Sequence, residues 1–349
     1  MHIPDLLQGF GVRGGILICG LNWFGDSVMS MPAVQAYRRA NDCVRITMLV
    51  KPALVDLWRM HPMVDEIVPL EPGARGVLAA ARSIRRSGFR TAFIFPNSTR
   101  SALPPWFGRV PARRGTRGKR RSWFLTDIVE PALAATHVHQ SWEYADILGL
   151  GVGDCGDPTG DDWRPQLTIP AESAARATEM LGVAGSERVA ALVPGAARGG
   201  SKRWPARHFI EVGRRIAGSC VARVAVLGTR GEMELCAGIA AGIGSDAVDL
   251  SGRTAVAELA AVLERCNVVV TNDSGGMHLA TAAGGRVVAV YGLTDPAKTG
   301  PMGCGHRIII REGVQGARDI GRESEEAERC LASIEPDEVY EAVKEMIRK

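Results

Sequence analysis

Several protein classes are excluded by what this sequence does not contain. Its eight cysteines (Cys19, Cys43, Cys155, Cys220, Cys236, Cys266, Cys304 and Cys330) include no C-x-x-C pair. Several sit inside apolar runs, which argues for reduced, buried thiols rather than a zinc site or a disulfide framework. No segment reaches about 18 unbroken apolar residues, so no membrane-spanning helix is expected. There is no basic N-terminal stretch leading into a long apolar one, so no signal peptide is expected and the cytoplasm is the expected compartment. Aromatic residues make up only 5%. No helix-turn-helix or RNA-binding signature occurs, so nucleic acid is not an expected partner. The formal charge of +4 is too small to name a partner by itself, so the local clustering of charge has to do so.

What is present suits a soluble α/β protein. The 349 residues favour two domains. Glycine is abundant, at 41 residues, as many tight strand–helix turns require. Short apolar runs at Ile16–Cys19, Ile46–Val50, 91–95, Val189–Val193, 224–227, 268–271 and 287–291 read as buried strands. Amphipathic stretches at 77–87, 206–217, 232–241, Val256–Arg265 and 277–283 read as helices between them. Strand–helix alternation in both halves predicts two parallel-sheet, Rossmann-like domains, residues 1–165 and 170–335. The Gly-, Asp- and Pro-rich stretch 151–170 joins them, and an amphipathic helix, Pro336–Arg348, closes the sequence. Ligands of such sheets bind beyond the carboxyl ends of the strands, so the loops there carry the functional reading.

GLNWFGDS, residues 20–27, has the glycine spacing and the serine of a phosphate-binding loop, but Asp26 replaces the lysine and would repel a phosphate. Asp26 is therefore either a helix cap or, if the helix begins near Pro32, a loop carboxylate available for chemistry. TNDSGGMHLATAAG, residues 271–284, turns from a strand into a helix through Asp273, Ser274, Gly275 and Gly276. Small residues at a helix N-terminus make a diphosphate seat, with Asp273 and His278 near the same ligand. The bland alternative is a capped turn with a surface histidine. PGAARGGSKRWP, residues 194–205, brings Lys202 and Arg203 to another strand end, either as a solvated basic loop or to neutralise a leaving phosphate. Glu232 or Glu234 is placed to hold a ribose, and the 250–254 loop to surround a base. In the first half, ARRGTRGKRR (residues 112–121) has six basic residues and no acid. It reads as a solvated face or as a dock for an anionic acceptor or membrane surface.

Taken together, these stretches resemble the ADP-heptose:lipopolysaccharide heptosyltransferases of glycosyltransferase family 9. The similarity runs along nearly the whole chain: GDSVMSMPAVQAYRR at 25–39, FPNSTRSALPPWF at 95–107, RRGTRGKRRSWFLTD at 113–127 and HVHQSWEYADILGLG at 137–151, then PGAARGGSKRWP, TNDSGGMHLATAAG, YGLTDP at 291–296 and CLASIEPDEV at 330–339. The PNS-x-x-SAL and RG-x-x-R stretches look most like the heptosyltransferase II branch.

The resemblance implies a GT-B fold with two Rossmann-like domains facing a cleft, the acceptor on the first and the nucleotide sugar on the second. It implies that the C-terminal helix, 336–349, packs back on the first domain, and that transfer is inverting and needs no metal or other cofactor. By position, Asp26 matches the catalytic aspartate. Lys202, Glu232, Asp273, Ser274, Gly275, Gly276 and His278 match the donor site, and Asn97, Ser98, Arg117, Arg120 and Arg121 fall in the acceptor stretches. The implied partners are a nucleotide-sugar donor and an anionic glycolipid acceptor, with peripheral contact at the cytoplasmic face of the inner membrane. Gly276 stands where many relatives carry leucine, and Leu293 where many carry proline. Three other readings share these features: a family relative with another sugar or acceptor, a sugar-nucleotide epimerase, and a two-lobed solute-binding protein.

Overall fold

A computed structural model describes residues 15–118, 120–132, 135, 139–155, 160–197, 199–219, 223–311 and 324–348. Lys119 of the basic stretch and Cys220 lie outside them. The chain forms two compact units, residues 1–158 and 159–349. Among the described residues no helix is long and apolar enough to cross a membrane.

Each unit is built on a six-stranded, wholly parallel sheet. In the first unit the strands are β1 (Ile16–Cys19), β2 (Ile46–Val50), β3 (Glu66–Pro69), β4 (Thr91–Ile94), β5 (Ala112–Thr116) and β6 (Asp127–Val129), in spatial order β3-β2-β1-β4-β5-β6. In the second they are β7 (Val189–Val193), β8 (Arg223–Val226), β9 (Ala247–Asp249), β10 (Val268–Asn272), β11 (Val287–Val290) and β12 (Arg307–Ile309), in order β12-β11-β10-β7-β8-β9. The two orders are the same doubly wound topology. Central strands such as β2, β7 and β10 are buried at every position, because helices cover both sheet faces. Alternate side chains go to alternate faces: Leu17, Cys19, Ala92 and Ile94 pack under the helices of the first unit, and Leu192, Val226, Val270 and Val288 under those of the second.

The expected strands and helices are all present, with ends shifted by a few residues. Five short strands were not expected: β3, β5, β6, β9 and β12. β5 matters most, because it lies inside the basic stretch, where no strand was expected. Its sequence, ARRGT, has no apolar pattern. It pairs in parallel with β4, and its arginines are held by carbonyls. Arg113 Nε donates to the Phe124 carbonyl at 2.7 Å and Arg114 Nε to that of Ile147 at 2.9 Å.

The C-terminal helix departs from the expectation that it returns to the first domain. Val339, Val343 and Met346 are buried in the core of the second unit with Val270 and Val288. Arg286 Nη1 donates to the Met346 carbonyl at 2.7 Å. Residues 333–335 alone separate this helix from helix Glu325–Ala332, a reach of at most about 14 Å. That preceding helix itself packs on the turn Gly200–Lys202.

Candidate active site

In a doubly wound sheet the order of connection reverses between two central strands, and the loops at their carboxyl ends part to leave room for a ligand. The reversal falls between β1 and β4 in the first unit and between β7 and β10 in the second. The loops that follow these four strands carry Asp26, Asn97 with Ser98, Lys202, and Asp273.

In the second unit the loop after β7 is fastened at both ends by Asn272, the last residue of β10. Its Nδ2 donates to the Pro194 carbonyl at 2.7 Å, and its Oδ1 accepts from the Trp204 amide at 3.0 Å. Both bonds are buried. Trp204 is held in turn by its Nε1, which donates to the Ile334 carbonyl at 2.9 Å. The clamped loop delivers Lys202 Nζ to the Asp273 carboxylate, and the two form an ion pair with little solvent exposure. Asp273 also lies beside the fully buried Tyr291. Burial, reinforced by that negative charge, pushes the Tyr291 phenol well above its ordinary value.

Helix Gly275–Ala282 starts directly after this pair. Ser274 stands at its N-cap with extended backbone and makes no side-chain cap. The Ser274 side chain thus does not cover the first amides of the helix, and the helix dipole adds partial positive charge beside Lys202. A Cβ at Gly276 would lie 2.7 Å from Val193 Cγ1, so the helix start is pressed onto the end of β7 and admits only glycine without a shift. His278, one turn on, is 3% exposed and is not the surface residue of the bland reading.

Glu232 and Glu234 part company. Glu232 accepts from the Thr229 amide at 2.9 Å and from its hydroxyl at 2.8 Å, and its Oε1 is 3.7 Å from Arg203 Nη2. It lies so close to the 194–205 loop that a Cβ at Gly195 would be 2.0 Å from Oε1. Glu234 is exposed on helix Met233–Ile243. Lys202, Arg203, Glu232, Asp273 and Ser274 therefore gather around one group of strand ends.

In the first unit Asp26 lies in the first turn of a short helix, Phe24–Met29. The helix begins well before Pro32 and its N-cap is Trp23, so neither alternative left open by the sequence, a cap or a loop carboxylate, is found. It breaks at Ser30, and a second helix, Met31–Ala40, takes Pro32 in its own first turn. Asp26 is half-buried, at a position where unpaired helical amides favour negative charge.

The residues of the acceptor stretches divide by role. Ser98 caps helix Thr99–Phe107, its hydroxyl accepting from the Ser101 amide at 3.3 Å. Asn97 is exposed, and its carbonyl lies over Gly118, where a Cβ would come within 2.6 Å. The 97–98 and 117–121 segments therefore meet. Arg117 and Arg120 are exposed, Arg117 at 3.7 Å from Glu130. Arg121 corrects the expectation of an acceptor contact. It is 0% exposed, and its Nη2 donates to the Ile94 carbonyl at 2.7 Å. The missing side chain of Gly115 admits it, since a Cβ there would be 2.1 Å from Nη2. Burial pulls its guanidinium down to about 10, still charged at neutral pH. It anchors the segment to the end of β4.

Asn272, Tyr291 and Gly195 escaped the sequence reading. The signal for Asn272 was a polar residue ending an otherwise apolar strand. Gly195 and Tyr291 carried no signal of their own. Among the described residues no group of three or more His, Cys, Asp or Glu is placed to hold a metal ion.

Comparison with known proteins adds ancestry to this geometry. The family model "Glycosyltransferase family 9 (heptosyltransferase)" matches residues 77–328. The chain is 26% identical over 348 residues to lipopolysaccharide heptosyltransferase 2 of Escherichia coli K12, covering 95% of this chain and 98% of that protein. It is 28% identical over 357 residues to lipooligosaccharide heptosyltransferase 2 of Haemophilus influenzae, covering 96% and 99%. Among solved structures, E. coli ADP-heptose lps heptosyltransferase II superposes with a TM-score of 0.82 at 25% identity, covering 96% of this chain and 98% of that one. The paired Rossmann-like units are those of the GT-B class.

Proposed function

The chain belongs to glycosyltransferase family 9, and from that premise we propose that it moves a heptose from ADP-heptose to a hydroxyl of an anionic lipopolysaccharide inner-core acceptor, with inversion at the anomeric carbon. The observation that carries the donor half is the Lys202–Asp273 pair at the uncapped start of helix Gly275–Ala282, with Glu232 beside the same loop. An ammonium group has three donors. One is engaged by Asp273, and the others suit a diphosphate lying on the helix amides. Glu232 suits the ribose hydroxyls.

In the proposed step Asp26 takes the proton of the acceptor hydroxyl as its oxygen attacks the anomeric carbon. The bond from that carbon to the diphosphate oxygen breaks, and ADP leaves carrying the electron pair. Negative charge grows on the diphosphate during the step, so preorganised amides and Lys202 stabilise the transition state more than the ground state. No metal enters the scheme. Asn97, Arg117 and Arg120 are assigned to the anionic acceptor, and the reaction to the cytoplasmic face of the membrane that carries it.

The test has two parts. Calorimetry with ADP-heptose, ADP-glucose, UDP- and GDP-sugars and ADP should show tight binding for ADP-heptose and ADP alone. ADP release with a heptose-acceptor oligosaccharide should then give a product heavier by one heptose. Preference for a UDP- or GDP-sugar would overturn the donor, and ADP-heptose binding without transfer would overturn the acceptor.

A further inference from the structure

β10 and β11 run parallel, with Asn272 level with Val290. The residues that follow them, Asp273 and Tyr291, therefore stand side by side. Tyr291 is fully buried. Phenylalanine would fill the same space with no polar atom to satisfy, so a hydroxyl at this depth calls for partners. Its Oη donates to the Thr299 carbonyl at 2.8 Å. It also lies 3.5 Å from the Sδ of Met277, in the helix that begins at Gly275. The Asp273 carboxylate faces it as well. Burial first, and then the charge and hydrogen bond of Asp273, raise the pKa of the phenol, so at neutral pH the oxygen keeps its proton.

A phenol has one proton to donate. Thr299 and Asp273 compete for it. While Lys202 pairs with Asp273 the carboxylate is supplied, and the proton goes to Thr299. A diphosphate on the helix amides changes that balance. It draws Lys202 towards its own oxygens and brings negative charge up to Asp273. A carboxylate only 7% exposed then needs another donor, because a buried charge that loses its partner is strongly destabilising. The Tyr291 hydroxyl is beside it. Thr299 can release that hydroxyl, since it is half-buried and ends a helix of four residues, Pro296–Thr299, held by the Asp295 cap. The turn is already imperfectly satisfied: Thr299 Oγ1 is buried without a partner among the described residues.

We propose that Tyr291 is a positioning residue of the donor site, whose hydroxyl passes from the Thr299 carbonyl to the Asp273 carboxylate when a diphosphate engages Lys202. The transfer fixes Asp273 at the head of helix Gly275–Ala282 and loosens the turn Pro296–Thr299 in the same motion. The inference rests on the donor reading above for the identity of the ligand.

Calorimetry with ADP on Tyr291→Phe tests it. The variant loses a bond to a neutral carbonyl in the free protein and a bond to a carboxylate in the complex. ADP affinity should fall by the difference, about tenfold. In an Asp273→Asn background the hydroxyl gains nothing by turning to a second neutral acceptor, so the same change should leave ADP affinity where it was. Hydrogen exchange supplies a readout that needs no variant. In the wild type, ADP should speed amide exchange at 297–299; in Tyr291→Phe those amides should exchange fast with or without ADP. Wild-type ADP affinity in Tyr291→Phe, an equal loss in the Asp273→Asn background, or protection of 297–299 by ADP overturns the proposal and leaves the donor reading standing. A wild-type protein that binds no ADP would instead overturn the donor reading, and this inference with it.

Discussion

Asp26 and Lys202 have opposite tasks in the proposed reaction, and single substitutions should separate them. Asp26→Asn keeps the shape and removes the base, so kcat should fall about 10²- to 10⁴-fold while calorimetry gives unchanged ADP-heptose affinity. A wild-type rate would remove Asp26 from the chemistry. Asn272 acts at one remove. Replacing it with alanine leaves the buried Pro194 carbonyl and Trp204 amide without their partner, a loss of about 1–3 kcal/mol per group. Asn272→Ala should therefore weaken ADP-heptose binding and lower the urea midpoint together. If donor affinity is unchanged, the clamp does not position Lys202.

At the scale of the element, the segment that follows helix Val55–Arg59 carries a pH dependence. His61 is buried against Trp58, with ring centroids 5.4 Å apart, and its Nδ1 accepts from the Met63 amide at 3.2 Å. Burial lowers its pKa from 6.5 to about 3. The folded state keeps the imidazole neutral, whereas the unfolded chain takes up a proton as pH falls through 6.5. Stability contributed by this site is therefore constant above about pH 6.5 and declines from there to about pH 3, by at most ~1.4 kcal/mol per pH unit. Urea midpoints at pH 7 and pH 5 should show the decline, and His61→Gln should flatten it. An equal decline in the variant would assign the effect to other groups. Arg121 works in the same static way: a charge buried at a strand end fixes a segment and leaves Arg117 and Arg120 on its surface.

For the whole molecule, the division into two units is a division of cores. Among the described residues the second core draws on residues 190–347, the C-terminal helix included. Residues 159–349 expressed alone should unfold cooperatively and bind ADP with the affinity of the full chain, yet transfer no heptose because Asp26 is missing. A fragment that does not fold would show that its stability depends on the first unit.

The sequence by itself determined the local material: apolar runs long enough only for strands, glycine turns after them, a carboxylate where a phosphate loop would have lysine, and the small-residue turn 273–276 between a strand and a helix. These were legible because backbone conformation and side-chain period act over a few neighbouring residues. The edge strands and β5 were not, because a strand of three to five residues without apolar alternation forms only when a neighbour offers its open edge. Tertiary structure alone decided which strand ends are neighbours. β10 lies beside β7, so Asn272 can clamp the Pro194–Trp204 loop and Lys202 can meet Asp273. It also turned Arg121 inward through the space left by Gly115, and seated the C-terminal helix on the second core. Strand order and the filling of space depend on how distant segments exclude one another, and no local pattern records that.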